Sequence, residues 1–397
     1  MADHFTPQTQ QVAAAIEATP GTAEVLAAGD VKLRPYAELN YQPNPNRFEN
    51  SEVGDDLGQA DDFVSGKKGT IIAPFTVKGS GTTGTAPALG IYLRALGYKE
   101  ELVETIALTG APAPGSFAEG AAYTSPGKTG TIEQLTAASP LRYIALTGGS
   151  LVATDVVTVG ADTATTTGAN SNYATRYTPR TLAQETITLA RYIKNTEGTA
   201  AEDGENRIIG SMGDASMEFG VHDAIRFTGT YDGVESFNGA SDLFAASGIT
   251  YETAANASLP KFINSTFQLD GVTLVPSAFT LNFGNEVDLD PDGTSTGGGT
   301  PGYDRARVLN RAPEISLDPR RVTPTVFDDL LKLVDGSTFT FNFVSSGAAG
   351  QIVEILAEAC QIRGWSEGNR ANLQIADMTI ACTRRAVIDS ELKIYFR

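Results

Sequence analysis

Histidine is nearly missing from these 397 residues, with His4 and His222 the only two. His4 lies in a polar N-terminal stretch, so a Ser-His-Asp or Cys-His centre would have to be built around His222, and no G-x-S-x-G elbow accompanies it. Cysteine is equally scarce. Cys360 and Cys382 lack the close C-x-x-C spacing of a metal site and read as core thiols. Positive charge is short as well, with 29 Lys and Arg against 47 Asp and Glu and a net charge of -18. That balance excludes a free-standing nucleic-acid binder, which gains affinity by neutralising phosphates. An acidic surface repels DNA and keeps an abundant protein soluble. No run of 18 apolar residues exists, and Met1-Ala2-Asp3-His4-Phe5 has neither the basic nor the apolar region of a signal peptide. The expectation is a protein of a cytosol-like compartment, where two buried thiols are favoured over a disulfide.

What is present favours strands. The hydrophobic fraction is 41%, Gly occurs 41 times, and short alternating segments lie between turn signals, which points to a mainly β chain. Residues 1–29 read as an N-terminal arm and Val31–Tyr41 as a strand. The polar stretch from Pro43 to Gly69 is longer than an ordinary connection. Ile71, Ala73, Phe75 and Val77 alternate as a half-buried strand. A short helix follows, with Leu89, Tyr92, Leu93 and Leu96 on one face and a stop at Gly97. Residues 106–175 have few charges and many Ala, Gly and Thr, and read as a β-rich insertion with strands at Leu141–Thr147 and Leu151–Val159. Alternation returns at Thr186–Tyr192, Ala215–Phe219 and Ile225–Tyr231.

The second half repeats the order of the first. Strands at Phe279–Phe283 and Ala312–Leu317 precede a helix with Thr323 as cap, Pro324 at its first position and Gly336 at its end. Phe339, Phe341 and Phe343 alternate next. Gln351–Ile362 fits a helix period and a strand equally, and strands follow at Leu373–Ile375, Met378–Cys382 and Leu392–Phe396. Setting arm and insertion aside leaves roughly 150 residues per copy, a two-fold duplication. The layout is then domain A over 30–105 plus 176–250 and domain B over 251–397. Each is a β-sandwich or barrel with one short helix.

Two motifs invite a chemical reading. Gly79-Ser80-Gly81-Thr82-Thr83-Gly84 matches G-x-G-x-x-G between a strand and a helix, but that strand alternates and contains Pro74, unlike a central parallel strand. The competing reading is a flexible turn. Asp288-Leu289-Asp290-Pro291-Asp292-Gly293 opens like a calcium loop, yet Gly299 stands where a bidentate Glu belongs, so an acidic turn is the alternative. The expectation is no catalytic residues, no cofactor and no dedicated metal site. Arg384-Arg385 reads as a solvated face.

The stretch Val12-Ala13-Ala14-Ala15-Ile16-Glu17-Ala18-Thr19-Pro20-Gly21-Thr22 resembles the N-terminal signature of tail tube proteins from long-tailed bacteriophages. So does Gly79 through Leu89, running into Leu93-Arg94-Ala95-Leu96-Gly97-Tyr98. Tyr177-Thr178-Pro179 and Phe279-Thr280-Leu281-Asn282-Phe283-Gly284-Asn285 continue the likeness in order. The resemblance implies a structural, non-enzymatic subunit of the virion tail, made in the host cytoplasm. Its tube-type domains join neighbouring strands into a closed inner β-barrel ring. Rings would stack around a tape-measure protein and later pass DNA without binding it, with no membrane contact. The insertion, where the family has a short link, would decorate the outside. Because single-domain members form six-membered rings, the duplication implies trimeric, pseudo-hexameric rings of this chain, with a hexamer as the alternative. The loop from Pro43 to Gly69 would order against a neighbouring subunit through Phe48, Val53, Leu57 and Phe63. The rival readings are another virion β-protein, such as a decoration or tail fibre protein, and more remotely a nucleotide-binding enzyme.

Overall fold

The computed structural model describes residues 5–48, 63–109, 117, 120–134, 141–195, 203–240, 259–292, 302–385 and 389–397. The chain is mainly β. It opens with β1 (Phe5–Ile16), β2 (Asn40–Pro43), β3 (Asn46–Phe48), β4 (Phe63–Gly66), β5 (Lys68–Thr76), helix α1 (Gly90–Arg94) and β6 (Tyr98–Thr109). Next come β7 (Ala122–Ser125), β8 (Lys128–Gln134), β9 (Leu141–Thr147) and β10 (Val156–Val159). The first half closes with β11 (Asp162–Pro179), β12 (Ile187–Asn195), β13 (Gly204–Gly220) and β14 (Arg226–Ala240). The second half begins with β15 (Lys261–Leu269), β16 (Val272–Thr273), β17 (Ala278–Asn282), β18 (Asn285–Asp292), β19 (Gly302–Arg311) and β20 (Glu314–Leu317). It ends with α2 (Asp329–Asp335), β21 (Phe339–Ser346), β22 (Val353–Arg370), β23 (Leu373–Cys382) and β24 (Lys393–Phe396).

Twenty of these strands form one connected sheet. Long β13 carries β14 along one edge and, end to end along the other, β12 and then β17. The pairing of β13 with β17 ties the first half to the second. A second tie is β24, which pairs with both β11 and β22. The main apolar cluster runs across both halves: Phe75, Tyr92 and Phe227 belong to the same core as Phe279, Phe341 and Phe343. At its centre the rings of Phe219 and Phe279 stack at 4.1 Å and 8°. Each such buried ring contributes about 1.5–3 kcal/mol relative to an exposed one.

The inserted strands close on themselves. Pairings run from β6 to β9, β8, β7, β10 and β11 and back to β6, with a single register pair, Thr158 with Thr124, completing the circuit. Inside lies a separate core of Ile106, Phe117, Tyr123, Ile132, Leu141, Tyr143, Leu151 and Val157. Both β6 and β11 run from the body into this module. The register of β11 on β6 shifts between Thr167 and Ser171, where Gly168 takes φ +73°.

Several local expectations need correction. Within the N-terminal arm, residues 5–16 are a strand although their start shows no periodicity: β1 lies antiparallel on β12, from Gln10 opposite Ile193 to Ile16 opposite Ile187. Val31–Tyr41 is not a strand; β2 starts only at Asn40, and Pro35, which lacks an N–H, makes an isolated bridge to Phe75. Asp328, not Thr323, caps α2, its carboxylate accepting from the Leu331 N–H at 2.9 Å, while Gly336 ends the helix at φ +62° as expected. The ambiguous Gln351–Ile362 lies largely in β22, because cross-strand partners on both edges outweigh its helical period.

Candidate functional site

Each half carries a hairpin arm between two strands that pair with each other. In the first half the arm strands β3 and β4 put Phe48 opposite Phe63 in the ladder. Val53 and Leu57 lie outside the described residues. The second arm, β18 with β19, was not anticipated as a hairpin. It folds Leu289, Ala306 and Val308 onto Ile209, Met212 and Val234 of the first half. The arms meet where the Asn46 side-chain amide donates to the Tyr303 hydroxyl, and a Cβ at Gly66 would lie 2.8 Å from the Tyr303 ring. The acidic run Asp288–Asp292 sits in extended β18 rather than in a turn, and Asp290 pairs with Arg307 at 2.7 Å. Among the described residues no group of three or more His, Cys, Asp or Glu is placed to hold a metal ion.

The N-terminal signature has a buried anchor that sequence reasoning missed. Glu17 follows β1 directly. Its carboxylate accepts from the Gly21 and Gly210 amides at 2.7 Å each, from the Thr186 hydroxyl at 2.5 Å and from the Thr188 hydroxyl at 3.0 Å. Charge-assisted bonds of this kind are roughly twice as strong as neutral ones. Gly21 and Gly210 both have positive φ, and a Cβ on either would come within about 3 Å of Asp304 or Arg305 on the second arm. The signature is therefore the seat of that arm. The visible clue was one acidic residue between an apolar run and Thr-Pro-Gly.

The glycine motif is a clasp between the halves, not a flexible turn. The Gly79 N–H donates to Gln351 Oε1 at 2.8 Å, Gln351 Nε2 returns a bond to the Gly79 carbonyl at 3.0 Å, and the Gly81 N–H donates to the Gly350 carbonyl at 3.0 Å. A Cβ on Gly79 would fall 2.0 Å from the Gly350 oxygen. Loop packing accounts for this glycine without a phosphate, and the helix that follows has only five residues.

A buried charged cluster joins the module to the body. Arg176 on β11 pairs with Glu101 on β6 at 2.6 Å and with Glu133 on β8, and Glu133 also accepts from the Tyr395 hydroxyl. Lys393 on β24 pairs with Glu358 on β22 and lies 3.9 Å from Glu133. Burial pushes the Glu101 carboxyl up, but the adjacent Arg176 and Lys99 more than offset it and leave it below the usual carboxylate range. Burial wins at Glu354, whose carboxyl is raised despite Arg397 and Arg142. His222 is exposed in the turn before β14, beside Asp223, which pairs with Arg226 at 2.8 Å. Cys360 and Cys382 are buried register partners, and their mutual hydrogen bond, then burial, holds the Cys382 thiol well up.

The two helices differ in what they show to solvent. In α1, Tyr92 and Leu93 are buried, as are Leu89 and Leu96 beside it. In α2, Asp329 is buried and Leu330, Leu331 and Val334 are exposed. No helix among the described residues is long and apolar enough to cross a membrane. No family model matches this chain, and no curated protein does.

Proposed function

We infer that this chain is a structural subunit of a self-assembling tube, of the kind that forms the tail of a long-tailed bacteriophage, and that it carries out no catalysis and holds no cofactor. One observation carries the reading: the same element order occurs twice. The first pass is β2, the β3–β4 arm, β5, α1, β6 and β11; the second is β17, the β18–β19 arm, β20, α2, β21 and β22. In each pass the strands flanking the arm pair with each other, β2 with β5 and β17 with β20. The strand after the helix then pairs with the next one of its pass, β6 with β11 and β21 with β22. Read as two like units, these passes suit a ring of three chains with six quasi-equivalent positions, since a heterologous interface closes when its rotation divides the circle. Stacked rings would enclose a bore for duplex DNA and, before that, a tape-measure protein. A net charge of -18 per chain favours a wall that does not hold phosphate by counterion release.

Electron microscopy of the purified protein tests this directly. Tubes with three chains per ring and two alternating interfaces are expected. Six chains per ring would sink the duplication argument, and isolated globular particles at high concentration would sink the tube.

A further inference from the structure

The inner face of α2 is held by polar and aromatic groups. Trp365 Nε1 donates to buried Asp329 at 2.8 Å, Arg321 lies 3.4 Å from the same carboxylate, and Lys332 pairs with Asp270 at 3.0 Å. Phe327, just before the helix, packs on Phe339 at 5.8 Å. Leu333 packs against the main core beside them. An aspartate points in, while Leu331 at 54% and Val334 at 81% exposure point out, joined by Leu330 and by Val326. Single exposed aliphatics are ordinary, but four on one short segment form a patch that calls for a partner. Its flanks are acidic, with Asp328 at the start and exposed Asp335 at the end.

A receptor of opposite character lies elsewhere on the same chain. A cleft of about 560 Å³ opens between the end of β1, the β11–β12 loop and β19. Leu182 at 80% and Leu309 at 62% exposure are among the residues that line it. Arg180, Arg305 and Arg307 also line it, together with Glu17 and Glu185; Arg180 pairs with Glu185 at 3.2 Å and Arg307 with Asp290 at 2.7 Å. The Arg305 guanidinium lies 3.7 Å from Asp304, a loose pairing that leaves it able to meet a further carboxylate.

We propose that the α2 patch of one copy docks in the Leu182–Leu309 cleft of the next, with Asp335 meeting Arg305. The proposal rests on the assembly reading above and adds the contact that carries it. An apolar knob and a recess with exposed leucines at separate places make a heterologous, head-to-tail contact, which propagates around a ring. The pairing of Asp335 with Arg305 fixes its register.

The test uses the full chain. Singly substituted Val334→Cys and Leu309→Cys proteins are mixed, assembled and oxidised; the native cysteines are buried and do not compete. A covalent dimer is expected from the mixture and not from either protein alone. Separately, Asp335→Arg should raise the critical concentration for assembly about tenfold, and Arg305→Asp in the same chain should restore it. Tubes from the wild-type chain, with no cross-link in the cysteine mixture and no rescue by the charge swap, would overturn this contact while leaving the tube reading intact. A wild-type chain that stays monomeric in sedimentation would overturn both.

Discussion

The joint between the two halves and the joint between body and inserted module are built from different materials. The halves share backbone pairing through β13 with β17 and through β24, a common aromatic core, and the glycine clasp at Gly79 and Gln351. The module has its own core, and beyond the continuous strands β6 and β11 it meets the body through ion pairs around Arg176 and Lys393, with a small apolar contact of Val103, Ile144, Ala174 and Tyr395. Apolar burial is cumulative and favours one cooperative unit. A charged seam largely offsets its own desolvation and adds little net coupling. The difference leads to the expectation that the halves unfold as one body and that the module can be removed.

The sharpest test is to remove it. Replacing residues 106–175 with a short Gly/Ser linker should leave a soluble body that still assembles, into tubes thinner in outline by electron microscopy. Arg176 keeps Glu101 and Lys393 keeps Glu358 in that variant, so no buried charge is orphaned. An insoluble product would show that the seam is not the boundary.

Within the body, Phe279→Ala should cost about 3–5 kcal/mol, because the ring touches Phe219, Phe262, Phe267, Phe341 and Phe343. Calorimetry should show a single transition shifted down, with both halves lost together; two separate transitions for the halves would break the comparison. At the seam, Arg176→Met should cost about 3 kcal/mol by leaving buried Glu133 with only Lys393 at 3.9 Å and Glu101 with only Lys99 at 3.1 Å. Hydrogen exchange should report that loss in β8 and β11 far more than in β21 and β22. Inside the module, Ile132→Val should cost only about 1 kcal/mol, confined to exchange in β7–β10.

Acid should weaken the seam. The Glu101 carboxyl titrates below its unfolded value, so its contribution is complete above the ordinary carboxylate range near about pH 4 and disappears as pH falls through the folded value. Glu354 has the opposite sign: its raised value penalises the charged form at neutral pH and relaxes on acidification. Exchange protection of the module should therefore fall in wild type as pH drops below the ordinary carboxylate range. Glu101→Gln should flatten that profile, and an unchanged profile in the variant would remove Glu101 from the account.

Where one face of a strand is buried in a shared core, residue order alone was sufficient. Phe339, Phe341 and Phe343 are all buried, as are Ile71, Ala73 and Phe75, because a period of two has one solution on a half-buried sheet. The stop at Gly336 was equally visible, since a left-handed cap selects for glycine locally. Elsewhere the deciding partner is distant in sequence. Alanine-rich β1 becomes a strand because β12 offers it an edge, and Gln351–Ile362 resolves to strand because β21, β23 and β24 flank it. Glu17 draws its donors from its own turn and from Thr186, Thr188 and Gly210; the glycine loop needs Gly350; and the outward leucines of α2 follow from Asp329 taking the inward place beside Trp365. Local chemistry determined which segments could pair and where they turn. Only the tertiary structure decided which edges and carboxylates found partners, because those bonds close over long stretches of chain and leave no periodic trace in the residues that make them.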